Sequence, residues 1–365
     1  MNSRSQYVDI AKGVAIIAVV LLHIDFHFYD SSILPLYTLL GGLWHVAVFF
    51  LLGGFFIKEA KLTEPISFIK GKTSSLYKLI LYFYIPAVLL HNMMIQIGWY
   101  DTVTDYGGKF MTMWGIPQML KELVLSVLLA GREPILGAMW FVYVLFIALC
   151  GFSIVSWIAK KITHNERQYE GIRFLTLLAL CIASCSFSQL AGMTISRFSN
   201  SITAMWLIYV GYMLKNYKKL EFTNSYVMVC ALFFVYHSAT ISGGVALNGN
   251  VYRDVVILTV SSCSALYAIC YFAKRIENNV MGHFLSLCGK ESFYIMGLHF
   301  VGFKMATYVL SVFGIDKSLS ALMAPAGDSM PLLLFYLAFG VLFPLFFMYI
   351  FRKAKVFLLN LIHFK

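Results

Sequence analysis

Residues 8–28 read VDIAKGVAIIAVVLLHIDFHF, an apolar run of membrane-crossing length that is interrupted only by a few ionisable groups. A helix needs about 20 mostly apolar residues to cover ~30 Å of hydrocarbon. The run is too long for the apolar part of a cleaved leader and no small-residue cleavage site follows it, so it is expected to remain as a span. The pattern then repeats. Runs near 8–28, 36–57, 76–98, 138–159, 172–191, 201–215, 224–242, 254–273, 291–313 and 331–351 predict an all-α polytopic integral membrane protein with about ten transmembrane helices.

Composition points the same way. Of 365 residues, 60% are apolar and 12% charged, with a mean hydropathy of +0.78. A soluble domain carries about a quarter of its residues charged, so lipid must solvate much of this chain. The formal net charge of +11 does not indicate nucleic acid, because the cations sit in short gaps between apolar runs. With the N-terminus inside, 21 Lys and Arg fall in cytoplasmic gaps and six in the opposite ones, while Lys304 lies within a span. That asymmetry predicts ten spans with both termini cytoplasmic, and a single membrane domain over 1–365 with no fused soluble domain. Membrane lipids are then its surroundings. The seven cysteines lie in or beside apolar runs without a CxxC pair and read as small buried hydrophobes, not as disulfides or metal ligands. The longest gap, residues 99–137, carries Trp114, Pro117, Met119, Leu120, Leu123, Val127 and Leu128. These spacings predict an amphipathic helix lying on or dipping into the outer face, either as an interfacial element or as a lid or wall of an acceptor site.

Ionisable groups inside a span cost roughly 2.5–3.5 kcal/mol each on insertion scales, so each needs a partner or a task. The first run holds Asp9, Lys12, His23, Asp25 and His27. Lys12 and His23 are eleven residues apart, three helical turns and about 20°, so they face one way about 16 Å apart. Asp9 falls within about 60° of Lys12 and His27 about 40° from His23, while Asp25 points elsewhere. The second run adds His45 near the depth of His23, a plausible acid–base pair on antiparallel helices. Its Gly53-Gly54 pair permits close approach of a backbone or a ligand. His299 sits eight residues into the ninth run between Ser292 and Lys304, and His91 and His237 lie in the third and seventh. No HExxH, P-loop, GxSxG or dinucleotide fingerprint occurs, and no residues stand at metal-ligand spacing, so no metal is expected.

These residues resemble membrane acyltransferase family 3, in particular its bacterial envelope sugar O-acetylase branch. Tyr7-Val8-Asp9-Ile10-Ala11-Lys12-Gly13 through His23 is similar to the family's opening, in which a basic residue precedes an essential histidine. Lys12 stands where arginine is usual, keeping the charge but losing bidentate grip on a phosphate. His45 through Phe55 resembles the His-x-x-x-Phe-Phe-x-x-Ser-Gly-Phe pattern, with Gly53 in place of the serine. Gly137-Ala138-Met139-Trp140-Phe141 is similar to the Trp-Phe box opening the fourth span, and Ser292 through His299 to the late Ser…His segment. Lys70, Lys72 and Lys78 take the place of an arginine-rich cytoplasmic loop.

The resemblance implies transfer of an acyl group, usually acetyl, from cytoplasmic acetyl-CoA to a hydroxyl of an envelope glycan or its lipid-linked precursor, in a bacterial inner membrane. It implies His23 as general base, with His45 orienting the acceptor or stabilising the oxyanion and Asp9 pairing with Lys12 or with a partner elsewhere in the fold. Lys12, Lys70, Lys72 and Lys78 would attract the donor's phosphates, and Trp140, His299 and His27 would face the acceptor. The same buried histidines and basic inner face would also serve a transporter or flippase of an anionic or lipid-linked glycan as a proton relay.

Overall fold

The computed structural model describes residues 5–24, 44–101, 112–191, 196–216, 221–242, 247–322 and 329–363. Among these residues the regular structure is helical, with no β-strand. The order is α1 (Gln6–Leu22), α2 (His45–Phe55), a short α3 (Glu59–Leu62), α4 (Pro65–Lys72), α5 (Lys78–Leu89) and α6 (His91–Gln96). Next come α7 (Ile116–Val127), α8 (Trp140–Ile162), α9 (Glu166–Ala191), α10 (Ser196–Asn216) and α11 (Ser225–Ser242). Last are α12 (Val255–Ile276), α13 (Val280–Lys290), α14 (Ser292–Val312) and α15 (Met330–His363). Five helical stretches, 134–162, 166–190, 255–276, 292–312 and 330–357, are long and apolar enough to cross a membrane, and α2 and α11 are shorter apolar helices. The chain is a multi-pass, all-α membrane protein.

Glycine sets the closest helix crossings. A Cβ on Gly13 of α1 would stand 2.0 Å from the Leu285 carbonyl oxygen of α13, and one on Gly289 of α13 would stand 1.8 Å from the Asp9 carbonyl oxygen. The two backbones therefore touch at reciprocal glycines, a contact that any side chain would prise apart. The same device joins α2 to α10, where a Cβ on Gly54 would meet the Ile208 oxygen at 2.1 Å and one on Gly211 the Leu51 oxygen at 1.9 Å. α13 lies in a stretch expected to be a basic loop. It is a helix because Asn279 caps its start, accepting the Gly282 N–H at 2.8 Å. The turn before it also serves α1, since Glu277 accepts the Tyr7 N–H at 2.6 Å and satisfies a first-turn donor of that helix.

The third apolar run is not one regular helix. A π-helical turn at Thr73–Tyr77 joins α4 to α5, and the chain breaks again at Leu90, four residues after Pro86. The amphipathic helix expected in the long gap is α7, and it runs lengthwise beside α5. Its start is tied to the far end of that run, where the Asn92 side chain donates to the Trp114 carbonyl at 2.9 Å and accepts the Trp114 N–H at 2.7 Å. At its other end the Val127 carbonyl accepts from the Tyr77 hydroxyl at 2.6 Å. Its polar residues Glu122 and Ser126 are buried, whereas Ile116, Leu120, Val124 and Leu128 are exposed. An outward apolar stripe with an inward polar face suits hydrocarbon as the surrounding medium.

Candidate functional site

α1 ends at Leu22, short of the expected boundary at residue 28, and His23 is the cause. Its backbone N–H bonds to the Val20 carbonyl at 3.1 Å, three residues back instead of four. The Val19 carbonyl that a continuing helix would have used is taken by the ring of His23 itself, with Nδ1 at 2.8 Å. The side chain thus caps its own helix, and the cap fixes the ring. A nitrogen facing a carbonyl must carry its hydrogen, so Nδ1 is the donor and Nε2 keeps the lone pair.

His299 of α14 is fully buried and stands behind this ring. Its Nδ1 faces the Ile295 carbonyl at 2.9 Å, which places its own lone pair on Nε2. That Nε2 lies 3.3 Å from His23 Nδ1, within reach of the same N–H that bonds to Val19. The two rings sit 5.1 Å apart between centroids. Phe300 meets His23 edge-on at 5.0 Å, and Phe303 meets His299 at 5.7 Å in the same manner, so both imidazoles are walled by aromatic carbon. His45, the first residue of α2, is buried and lies close enough to His23 for an electrostatic interaction. Its Nδ1 is buried with no hydrogen-bond partner among the described residues. Three histidines from α1, α2 and α14 therefore converge, as antiparallel packing of the first two helices requires.

Trp140 opens α8 directly after the 3₁₀ turn Pro134–Met139, and Gly137 of that turn lies against the ring of Phe300, 3.4 Å from where a Cβ would stand. Lys12 is half-buried further down α1, its Nζ 4.5 Å from the Phe56 ring centroid. It lines a cavity of about 200 Å³ together with Phe49, Gly53, Phe141, Ser292 and Met296. Met296 is one turn from His299 on α14. One face of α1 thus looks along one helix: Lys12 shares its cavity with Ser292 and Met296, and His23 touches His299 and Phe300. The adjacent glycines of α2 divide their work. Gly54 admits the α10 backbone, whereas Gly53 faces the cavity, and the nearest neighbour a Cβ there would meet is the Leu145 side chain at 3.7 Å.

Other expected site residues lie elsewhere. Asp9 is buried at the α13 crossing, about 21 Å along α1 from His23, and is not brought to the histidines. Lys70 and Lys78 are exposed, and Lys72 is half-buried with its Nζ 5.2 Å from the Phe68 ring, where burial lowers its pKa below the usual lysine range. His27 lies outside the described residues. Among the described residues no group of three or more His, Cys, Asp or Glu could hold a metal ion.

Two buried polar clusters escaped the sequence. Arg173, counted there as a loop cation, is fully buried and donates to both Glu59 carboxylate oxygens at 3.1 Å and to the Tyr169 hydroxyl at 2.8 Å. Tyr169 and Tyr212 also donate to Glu59, and four aromatic rings, those of Phe152, Tyr169, Tyr209 and Tyr212, surround the guanidinium. On the side of α6, His91 Nδ1 faces the Glu133 carboxylate at 3.1 Å, Tyr100 donates to the same carboxylate at 2.7 Å, and the Trp114 ring stacks on His91 at 3.4 Å.

The described arrangement combines an oriented imidazole, an apolar surround and a cavity beside Lys12. The family model described as an acyltransferase domain matches residues 5–352. No curated protein and no solved structure matches the chain. With nearly the whole chain covered, the protein belongs to membrane acyltransferase family 3.

Proposed function

We propose that this protein transfers a short acyl group, acetyl in the first instance, from cytoplasmic acetyl-CoA to a hydroxyl of an envelope glycan or its lipid-linked precursor. The observation that carries the reading is the fixed tautomer of His23, whose Nδ1–H is committed to Val19 while Nε2 is left as proton acceptor. His23 Nε2 removes the proton of the acceptor hydroxyl as its oxygen attacks the thioester carbonyl. The tetrahedral intermediate collapses with cleavage of the C–S bond, and the proton passes from His23 to the departing thiolate, leaving ester and free CoA. His299 steadies the Nδ1–H of His23 while the ring carries its extra charge, and His45, whose buried Nδ1 has no hydrogen-bond partner among the described residues, supports the developing oxyanion or orients the acceptor.

The donor enters from the basic side in this reading. Lys12, Lys70, Lys72 and Lys78 attract its phosphates, the pantetheine arm passes through the cavity at Lys12 toward the histidines, and Trp140 bounds the acceptor end. Ten spans with both termini in the cytoplasm of a bacterial inner membrane complete the proposal.

Purified protein given acetyl-CoA and an envelope-glycan extract should release free CoA in an acceptor-stimulated manner. Removing a general base costs about 10²–10⁴-fold, so H23A should lose nearly all release while keeping its helicity and its elution as a folded species. Wild-type rates in H23A would overturn the role given to His23, and no acceptor-stimulated release by the wild type would overturn the donor.

A further inference from the structure

A second cavity, a groove of about 510 Å³, opens between α9, α10 and α12 and is lined by Leu178, Ile182, Trp206, Val256 and Val260 with Arg253 at its end. Both α9 and α12 are among the helices long and apolar enough to cross a membrane, so the groove lies within the thickness of the bilayer. Ser186, Gln189, Asp254 and Thr259 also line it, but Gln189 and Thr259 already donate within the protein and most of the wall is apolar, so hydrocarbon fills most of the space at least cost. At ~30 Å³ for a group the size of a water or a methylene, the volume corresponds to about 17 such groups, the length of one acyl chain.

The end of the groove is built to hold charge. Arg253 is exposed one residue before the N-cap of α12, and its guanidinium makes no hydrogen bond or ion pair among the described residues. The neighbouring carboxylate does not neutralise it by contact, because Asp254 is engaged as the helix cap, accepting the Ile257 N–H at 2.8 Å. The backbone that presents Arg253 is also fixed: Gln189 Nε2 donates to the Tyr252 carbonyl at 3.1 Å and to the Arg253 carbonyl at 2.9 Å. An arginine held at the end of a spanning helix stands at headgroup depth, where a phosphate diester matches its fork of donors.

We propose that this groove binds an anionic glycerophospholipid, with one acyl chain along Leu178, Ile182, Val256 and Val260 and the phosphate on Arg253. The site lies outside the histidine cluster, and the proposal does not depend on the acyl donor or acceptor. Each basic residue near an anionic surface contributes about 1 kcal/mol, or roughly five-fold in affinity.

Protein released from nanodiscs of equimolar phosphatidylglycerol and phosphatidylcholine, and weighed by native mass spectrometry, tests it. The wild type should retain phosphatidylglycerol about five-fold over phosphatidylcholine. R253Q should bring that ratio close to one without changing the fold, because the side chain is exposed, and V260W should reduce retention of both lipids by occupying the groove. Undiminished preference for phosphatidylglycerol in R253Q, or equal retention of the two lipids by the wild type, overturns the proposal. Selective retention of a polyprenyl phosphate over phosphatidylglycerol, when both are supplied, overturns the choice of occupant.

Discussion

The Nε2 of His299 lies 3.3 Å from the Nδ1 of His23, the nitrogen that also faces the Val19 carbonyl at 2.8 Å. In the proposed mechanism His299 therefore acts through His23. Losing a partner that orients a reacting imidazole typically costs 10–100-fold. H299A should lower kcat by that factor and leave the KM for the acyl donor unchanged. The double variant H23A/H299A should be no slower than H23A alone, because His299 has nothing to orient once the base is gone. Additive losses, each variant multiplying the other, would show His299 acting independently on substrate.

Adjacent glycines in α2 make opposite predictions. A Cβ on Gly54 would stand 2.1 Å from the Ile208 oxygen and 2.4 Å from the Tyr212 nitrogen, both backbone atoms that cannot yield alone. G54A should destabilise by about 1–3 kcal/mol through forced separation of α2 and α10, read as a lower unfolding temperature in detergent. Gly53 has no neighbour closer than 3.7 Å to that position and borders the cavity at Lys12. G53A should fold like the wild type, whereas G53L, by filling the proposed passage of the donor arm, should raise the donor KM about ten-fold or more. A G53L enzyme with unchanged KM would place the donor elsewhere.

The apolar runs and the ionisable residues inside them were legible because lipid imposes both rules locally, on length and on cost. His23, His45 and His299 stood out for that reason, and the structure brings them together. Their order was not legible: 276 residues separate His23 from His299, and the contact depends on α13, whose packing rests on Gly13 meeting Gly289. A helix of eleven residues that follows Lys274 and Arg275 and ends on Lys290 reads as a cytoplasmic loop when only hydropathy and charge are consulted. The burial of Arg173 was hidden for the same reason, since a cation near the end of a run counts as solvent-exposed until its carboxylate, 114 residues away, is seen. The end of α1 at Leu22 could not be foreseen from propensity either, because it follows from the ring of His23 competing for a backbone carbonyl.

The Glu59–Arg173 cluster predicts a pH dependence. Burial alone would raise the Glu59 pKa, but the hydrogen bonds from Tyr169 and Tyr212 and the charge of Arg173 outweigh it and hold the carboxyl below the usual glutamate range. A carboxyl with a depressed folded pKa contributes stability that is present above its unfolded pKa, about 4.3, and is lost as pH falls through the lower folded value. The unfolding temperature should therefore drop as pH is lowered through and below about 4.3, and E59Q should be less stable at pH 7 with a flatter acid limb. R173A removes the ion pair but leaves Glu59, partly exposed, with its hydrogen bonds from Tyr169 and Tyr212, and should cost about 1–3 kcal/mol. If E59Q and the wild type share one acid limb, the cluster carries no such linkage.

Lys304 is buried on α14, and its ammonium donates to three backbone carbonyls, those of Trp99 at 3.0 Å, Leu319 at 2.6 Å and Ala321 at 2.8 Å. Three donors on one nitrogen meet three acceptors, so the side chain fastens two separate connecting segments to the same helix. K304M keeps the length and apolar stem but leaves all three carbonyls without that donor, at about 1–3 kcal/mol for each one that stays buried and unsatisfied. Segments 97–101 and 315–322 should then exchange amide hydrogens faster, while the close-packed crossing of α1 with α13 keeps its wild-type protection. K304R should not restore the wild type, because a planar guanidinium presents its donors in one plane and these carbonyls converge on a point. Exchange in K304M that matches the wild type in both segments would mean that other contacts hold them, and that Lys304 is carried inside the bundle without serving as their anchor.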